Sequence, residues 1–260
     1  MTDGIALGSG SVAAGYGVDG CRGGWFFVAL AEDQHRFGVR ESLCEIVDEI
    51  PGRATILVDM PIGLPSEHNP SRACDRLARK FIGSRRSSVF SPPTRPSLEV
   101  DSYAEASRVN HRLTGKKLSR QAWCLAPKIR EVDALVTTRV AGRPVLLESH
   151  PELCFAALNQ GRPMVHYKKT TQGARERIEL LCDYRANLAS IIDEALSKLP
   201  RNRVGSDDVV DAIVLAVCAW HCRSRLAVLP ESPDLDDAGL PMQMVYPRCP
   251  TDSGLGKEAP

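Results

Sequence analysis

The hydrophobic pattern opens at residues 15–31, where GYGVDG and GWFFVALAE form two short apolar runs either side of a Gly-rich turn. Runs of that length and composition predict strands, and their close spacing predicts antiparallel pairing. HRFGVRE predicts a third, shorter strand. In SLCEIVDEI the apolar positions move to helical spacing at Leu43, Ile46, Val47 and Ile50, with Gly52 as the stop. ATILVDMPIGLP is aliphatic on both faces, the mark of a buried strand, and it ends at Asp59 before Pro61 breaks it.

From about Ser66 to Arg139 the chain is mostly helical in pattern, polar, and rich in Arg and Pro. RPVLLESHPE returns to an apolar strand, ending at Glu148. Helical spacing resumes over Thr171–Lys198. GSDDVVDAIVLAVCAWHC then opens with acids and continues as a nearly all-apolar helix, which should be buried against a sheet. Leu229–Leu240 reads as a Pro- and Asp-rich loop, and QMVYP as a short last strand. The order predicts an α/β protein with a mixed five-stranded sheet: three antiparallel strands, then two parallel ones, flanked by helices. A large helical insertion, about 66–140, separates strands 4 and 5. A single domain is expected over 15–250, with flexible tails at 1–14 and 251–260.

Composition narrows the classes. The net charge of +1 over 260 residues argues against a generally basic coat, although a local basic face is compatible with it. No apolar stretch is long enough to span a bilayer, and MTDGIALGSG has no charged region leading an apolar segment, so neither a membrane span nor a secretion signal is expected. Nine cysteines, an odd number without CxxC spacing, predict reduced, mostly buried thiols and a cytoplasmic setting.

Candidate chemistry lies where the apolar runs end. Asp19, Asp59 and Glu148 each close a separate strand, and strand ends meet at one edge of an α/β sheet. Asp208 and Asp211 are three apart and share a helix face. Acids from several strands and a helix make a hard oxygen set suited to Mg²⁺ or Mn²⁺. Two such ions can clamp the attacking and leaving oxygens of a phosphodiester. Each acid also has a plainer reading. Asp19 beside Gly20 suits a hairpin turn, and Asp207 and Asp208 suit a helix N-terminus. Asp211 and Asp59 are harder to place that way, because each sits in an apolar run and needs a partner.

At these residues the sequence resembles a known family. GVDGCRGGW, VDMPIGLP, RRSSVFSPPTR, SRQAWCLAPKIREVD, LESHPELCF and DDVVDA look like successive signature blocks of the bacterial and archaeal domain of unknown function 429, described as predicted nucleases with an RNase H-like fold. The resemblance runs from about Tyr16 to Pro247. It implies an RNase H-like sheet and a divalent-metal-dependent nuclease acting on DNA or RNA. The wider superfamily, including resolvases of the RuvC type, places acids on the first strand, the fourth strand and the last helix. That pattern carries over to Asp19, Asp59, Asp208 and Asp211 as catalytic metal ligands. Glu148 has no equally firm counterpart.

The insertion adds Arg72, Arg76, Arg79, Lys80, Arg85, Arg86 and Arg95 against one acid, Asp75. Either this is a basic lid contacting phosphates over the acids, or a solvated helix face. Lys128, Lys168 and Lys169 are further phosphate-contact candidates, and each is more often ordinary surface. His150 could transfer protons or join a metal shell, or be structural. Cys218 and Cys222, flanking His221, read as core. The SPPTR loop and the insertion could support a homodimer. Two other functions compete with the nuclease. An ATP-dependent phosphotransferase of the actin-like or sugar-kinase type would use DGCRGGW as a phosphate turn, but no second DxGxT-type hairpin accompanies it. A non-catalytic nucleic-acid-binding protein would keep the acids for stability.

Overall fold

The computed structural model describes residues 14–50, 54–138 and 142–248. The expected tails over 1–14 and 251–260, Ala14 excepted, and the expected stop at Gly52 lie outside the described residues. β1 (Gly15–Cys21), β2 (Gly24–Leu30) and β3 (His35–Arg40) form the antiparallel meander. α1 (Leu43–Glu49) follows, opened by a capping box in which Ser42 and Glu45 satisfy each other's backbone N–H groups. β4 (Thr55–Val58) returns parallel to β1, and β5 (Val145–Glu148) lies parallel to β4. The sheet order is β3-β2-β1-β4-β5, the mixed α/β arrangement that the strand pattern predicts.

Between β4 and β5 run α2 (Ala73–Ile82), a 3₁₀ turn (Gly83–Ser88), α3 (Arg95–Leu98), α4 (Tyr103–Thr114) and α5 (Arg120–Thr137). After β5 come α6 (Pro151–Leu158), α7 (Thr171–Tyr184), α8 (Leu188–Lys198) and α9 (Ser206–His221). β6 (Leu226–Leu229) and β7 (Met244–Pro247) make a separate antiparallel pair. The hydrophobic pattern alone does not reveal α6 or β6. Among the described residues no helix is long and apolar enough to cross a membrane.

Strand alternation divides the core in two. Tyr16, Val18, Trp25, Phe27, Ile56 and Val58 face α1 and α5. Phe26, Val28 and Leu57 face the other way, with α6, α8 and α9. On β1 that second face carries Gly15 and Gly17 in place of side chains. A β-carbon on Gly15 would overlap the backbone of Ala216 and Trp220, and one on Gly17 would overlap Ala212 and Ala216. α9 therefore lies backbone to backbone on β1. The turn into β2 is left to Gly23 and Gly24, the latter at φ +116°. The described cysteines are all free, and Cys218 and Cys222 are buried in the core as expected.

Gly17→Ala should cost about 3 kcal/mol or more in urea unfolding, because neither backbone can yield. Gly115, at φ +72° with no atom within 4 Å of where a β-carbon would stand, is the control. Its change to Ala should cost only about 1–2 kcal/mol, from backbone strain. Equal losses would remove the close approach as the cause.

Candidate metal centre

Glycine at positions 15 and 17 lets the start of α9 settle beside the end of β1. Asp19 is next on the same face of that strand. Asp59 follows β4, where Asp59 N–H continues the parallel ladder to Val18 C=O at 3.0 Å. Asp211 lies in the second turn of α9. The carboxylates of Asp19, Asp59 and Asp211 each bring an oxygen within 4.8 Å of the others. Asp19 and Asp211 are buried and Asp59 half-buried.

Burial pushes the Asp19 carboxyl well above the usual carboxylate range, and Asp59, Asp211 and Asp208 push it further. Burial, with Asp211 adding to it, raises Asp59 to about 7. Lys168 opposes both shifts. Its ammonium donates to Asp211 Oδ2. Burial works to lower the Lys168 pKa, but Asp211, Asp19 and Asp59 outweigh it and raise the value. Asp211 Oδ1 is buried with no hydrogen-bond partner. One ammonium thus serves three converging carboxylates. A hard divalent cation fits this donor set, since it supplies charge to the cluster and a partner to the orphaned oxygen.

The acids occupy one wall of a cleft of about 360 Å³. Arg85, Lys168 and Lys169 also line it, as do Phe90, Tyr167, His150 and Asp207. Arg85 is partly engaged, its guanidinium donating to the carbonyls of Met164 at 2.9 Å and Val165. His150 stands at the N-cap position of α6 without a side-chain capping bond, its Nδ1 buried and unpartnered, and burial lowers its pKa.

Several expected site residues are placed elsewhere. Glu148 pairs in register with Val58, not with Asp59, so it falls on the opposite face of the sheet. There Arg72 Nη2 lies 2.6 Å from both of its oxygens, and Ile62 N–H donates to it at 2.7 Å. Arg72 consequently does not reach the acid cleft: its side chain is buried, with Asp75 3.5 Å from Nε. Asp208 turns back to accept the Gly205 N–H at 2.8 Å, because the first turn of a helix has donors to satisfy. Lys128 donates to Gly24 C=O and stands 4.4 Å from the Trp25 ring centroid, which fastens the insertion to the first hairpin. Arg95 is fixed by Asp133 at 2.7 Å and Asp236 at 2.5 Å. Arg76 and Arg79 line a different cavity, and Arg86 is exposed outside the cleft.

One acid of the cleft escapes the sequence reading. Glu152, in the first turn of α6, is buried. Arg177 Nη2 donates to its Oε1 at 2.5 Å, while Oε2 is buried without a partner. Its charge contributes to the raised pKa of Asp59. The available signal was an acid opening the wholly apolar run LCFAAL, with Arg177 as a lone cation in the buried stripe of α7.

A mixed five-stranded sheet with carboxylates converging from β1, β4 and α9 defines an α/β protein with a candidate metal centre. The family model described as protein of unknown function (DUF429) matches residues 17–235, a span that holds every acid of the centre, and the chain belongs to that family. No curated protein and no solved structure matches it.

Burial also raises Glu148 to about 7, against the pull of Arg72. Asp59 and Glu148 therefore both have native pKa values above their unfolded ones. Their contribution to stability is complete below about pH 4 and is lost as pH rises through about 7, by on the order of 1 kcal/mol per pH unit for each group. With chelator present, the melting temperature should fall between about pH 4 and pH 7. Asp59→Asn should remove part of that slope. A slope unchanged in Asp59→Asn would show that this carboxyl does not titrate there.

Proposed function

We propose that the protein is a divalent-metal-dependent nuclease, hydrolysing phosphodiester bonds of DNA or RNA at the Asp19–Asp59–Asp211 centre. The convergence of three carboxylates within 4.8 Å carries this reading. Oxygen-only ligands suit Mg²⁺ or Mn²⁺. Bound there, the ion polarises phosphoryl oxygen and makes water a stronger nucleophile.

The chain's own residues supply the rest. Asp19, Asp59 and Asp211 hold the charge in place from three rigid elements. Glu152, oriented by Arg177, adds a fourth negative group on the α6 side and can accept a proton or hold water on its free oxygen. Lys168, Lys169 and Arg85 bring positive charge to the same cleft, where phosphate oxygens would lie. Tyr167, 55% exposed, and Phe90 offer rings beside those cations, a combination suited to a strand with unstacked bases.

Three measurements test the reading. Millimolar Mn²⁺ should raise the melting temperature of the wild type; saturation at about 100 times Kd corresponds to about 2.7 kcal/mol. Asp19→Asn and Asp211→Asn should lose that rise and abolish cleavage of duplex, single-stranded, branched DNA and RNA substrates. Glu152→Gln should lower cleavage about 10- to 100-fold. No thermal rise in the wild type would overturn the metal centre. A rise without hydrolysis of any of these substrates would overturn the nuclease. Lys168→Met removes the cation that shares the negative charge of the centre with Mn²⁺. It should lower the metal-free melting temperature and enlarge the Mn²⁺-induced rise; the opposite pattern would show that Lys168 does not neutralise the centre.

A further inference from the structure

A second cavity, of about 180 Å³, shares no lining residue with the acid cleft. It is strongly one-signed. Arg72, Arg76, Arg79, Lys116 and Lys117 line it, against the single acid Asp75. Asp75 is already committed, 3.5 Å from Arg72 Nε. Cations on an ordinary solvated face diverge into water. Here they converge on a concavity, where low-dielectric walls concentrate their field.

The cavity is also built. Arg79 is held by Val89 C=O and Ser91 Oγ, both at 2.9 Å. The turn that carries Lys116 and Lys117 is fixed by Asn110 Nδ2 donating to Lys116 C=O at 2.9 Å. α2, a helix of 10 residues, starts at this wall with no side chain capping its first N–H groups. Arg72, only 2% exposed, precedes that helix, and its Nη1 is buried without a partner. Uncapped N–H groups, an orphaned guanidinium nitrogen, the hydroxyls of Ser71 and Ser91 and the ammonium groups of Lys116 and Lys117 are together short of one thing, an oxyanion.

We propose that this cavity is an oxyanion site that takes a phosphate group, separate from the carboxylate centre. A tetrahedral dianion suits it better than a carboxylate, because donors and cations approach from α2, from the Ser91 segment and from the Lys116–Lys117 turn. The phosphate could be free or could be the terminal group of a nucleic-acid strand. Occupation depends on neither metal nor hydrolysis, so it stands apart from the nuclease reading.

The test is a calorimetric titration of the whole protein with inorganic phosphate, at low salt and with chelator present. The wild type should show one saturable site. Lys116→Glu/Lys117→Glu, both exposed positions, should keep the wild-type melting temperature and weaken binding about tenfold or more. Lys116→Gln/Lys117→Gln should give a smaller loss in the same direction. Asp19→Asn/Asp211→Asn should still bind. Competition by a 5′-phosphorylated oligonucleotide, but not by its 5′-hydroxyl counterpart, would assign the site to a strand end; competition by neither would assign it to the free anion. Absence of saturable binding to the wild type, unchanged binding in the lysine variants, or loss in Asp19→Asn/Asp211→Asn would each overturn the proposal.

Discussion

The contact on which the centre depends is that of α9 with β1, where two backbones meet with no side chain between them. Gly15 and Gly17 make that approach possible. It fixes the depth at which α9 starts, and so the distance from Asp211 to Asp19. The parallel ladder from β1 to β4 then sets Asp59 beside Asp19. One ladder and one helix seat thus bring together three groups that repel one another. The work of holding them is done by neutral parts of the structure: apolar layers on both faces of the sheet, and backbone hydrogen bonds that do not weaken as the acids ionise.

Charge is then handled differently on the two faces of the sheet. On the α9 face, acids outnumber cations, and oxygens of Asp211 and Glu152 are left unpartnered. On the other, Glu148 is closed off by Arg72 and the Ile62 N–H. Removing Arg72 would strand a buried carboxylate, so this pair resists substitution without being a reaction centre. An acid at the end of a strand therefore stands in the candidate metal centre in one place and in the scaffold one strand away. Facing, not identity, decides which.

Facing also explains what could be read from the sequence and what could not. Sheet order, the long insertion, and Asp19, Asp59 and Asp211 are legible because each acid ends or interrupts an apolar run, where burial makes it conspicuous. Glu148 meets the same criterion and misleads, because alternation gives a residue's side only once the register is known, and a shift of one residue inverts it. Glu152 hides for the converse reason: it opens a helix, where an acid is the commonplace choice. Asp208 is conspicuous beside Asp211 yet spends its carboxylate on its own helix. The arginines of the insertion show that a helical spacing of cations says nothing of what covers them. Arg72 lies beneath the surface, and only Arg85 of that group reaches the acid cleft. The glycines of the first strand were legible as a turn signal, whereas the helix seat they provide comes from a segment almost two hundred residues away.

Every acid of the centre comes from outside the helical insertion, about 66–140, between β4 and β5. The three converging carboxylates stand on β1, just after β4 and on α9, and Glu152 stands on α6. The insertion begins after the chain leaves the sheet at Asp59, and the chain re-enters as β5 beside β4. Its outer parts can therefore gain or lose residues, or exchange one charge for another, without displacing a carboxylate. In evolutionary terms the two parts of the protein are free to change at different rates, with the acids held to the sheet and its helix and the outer insertion open to drift.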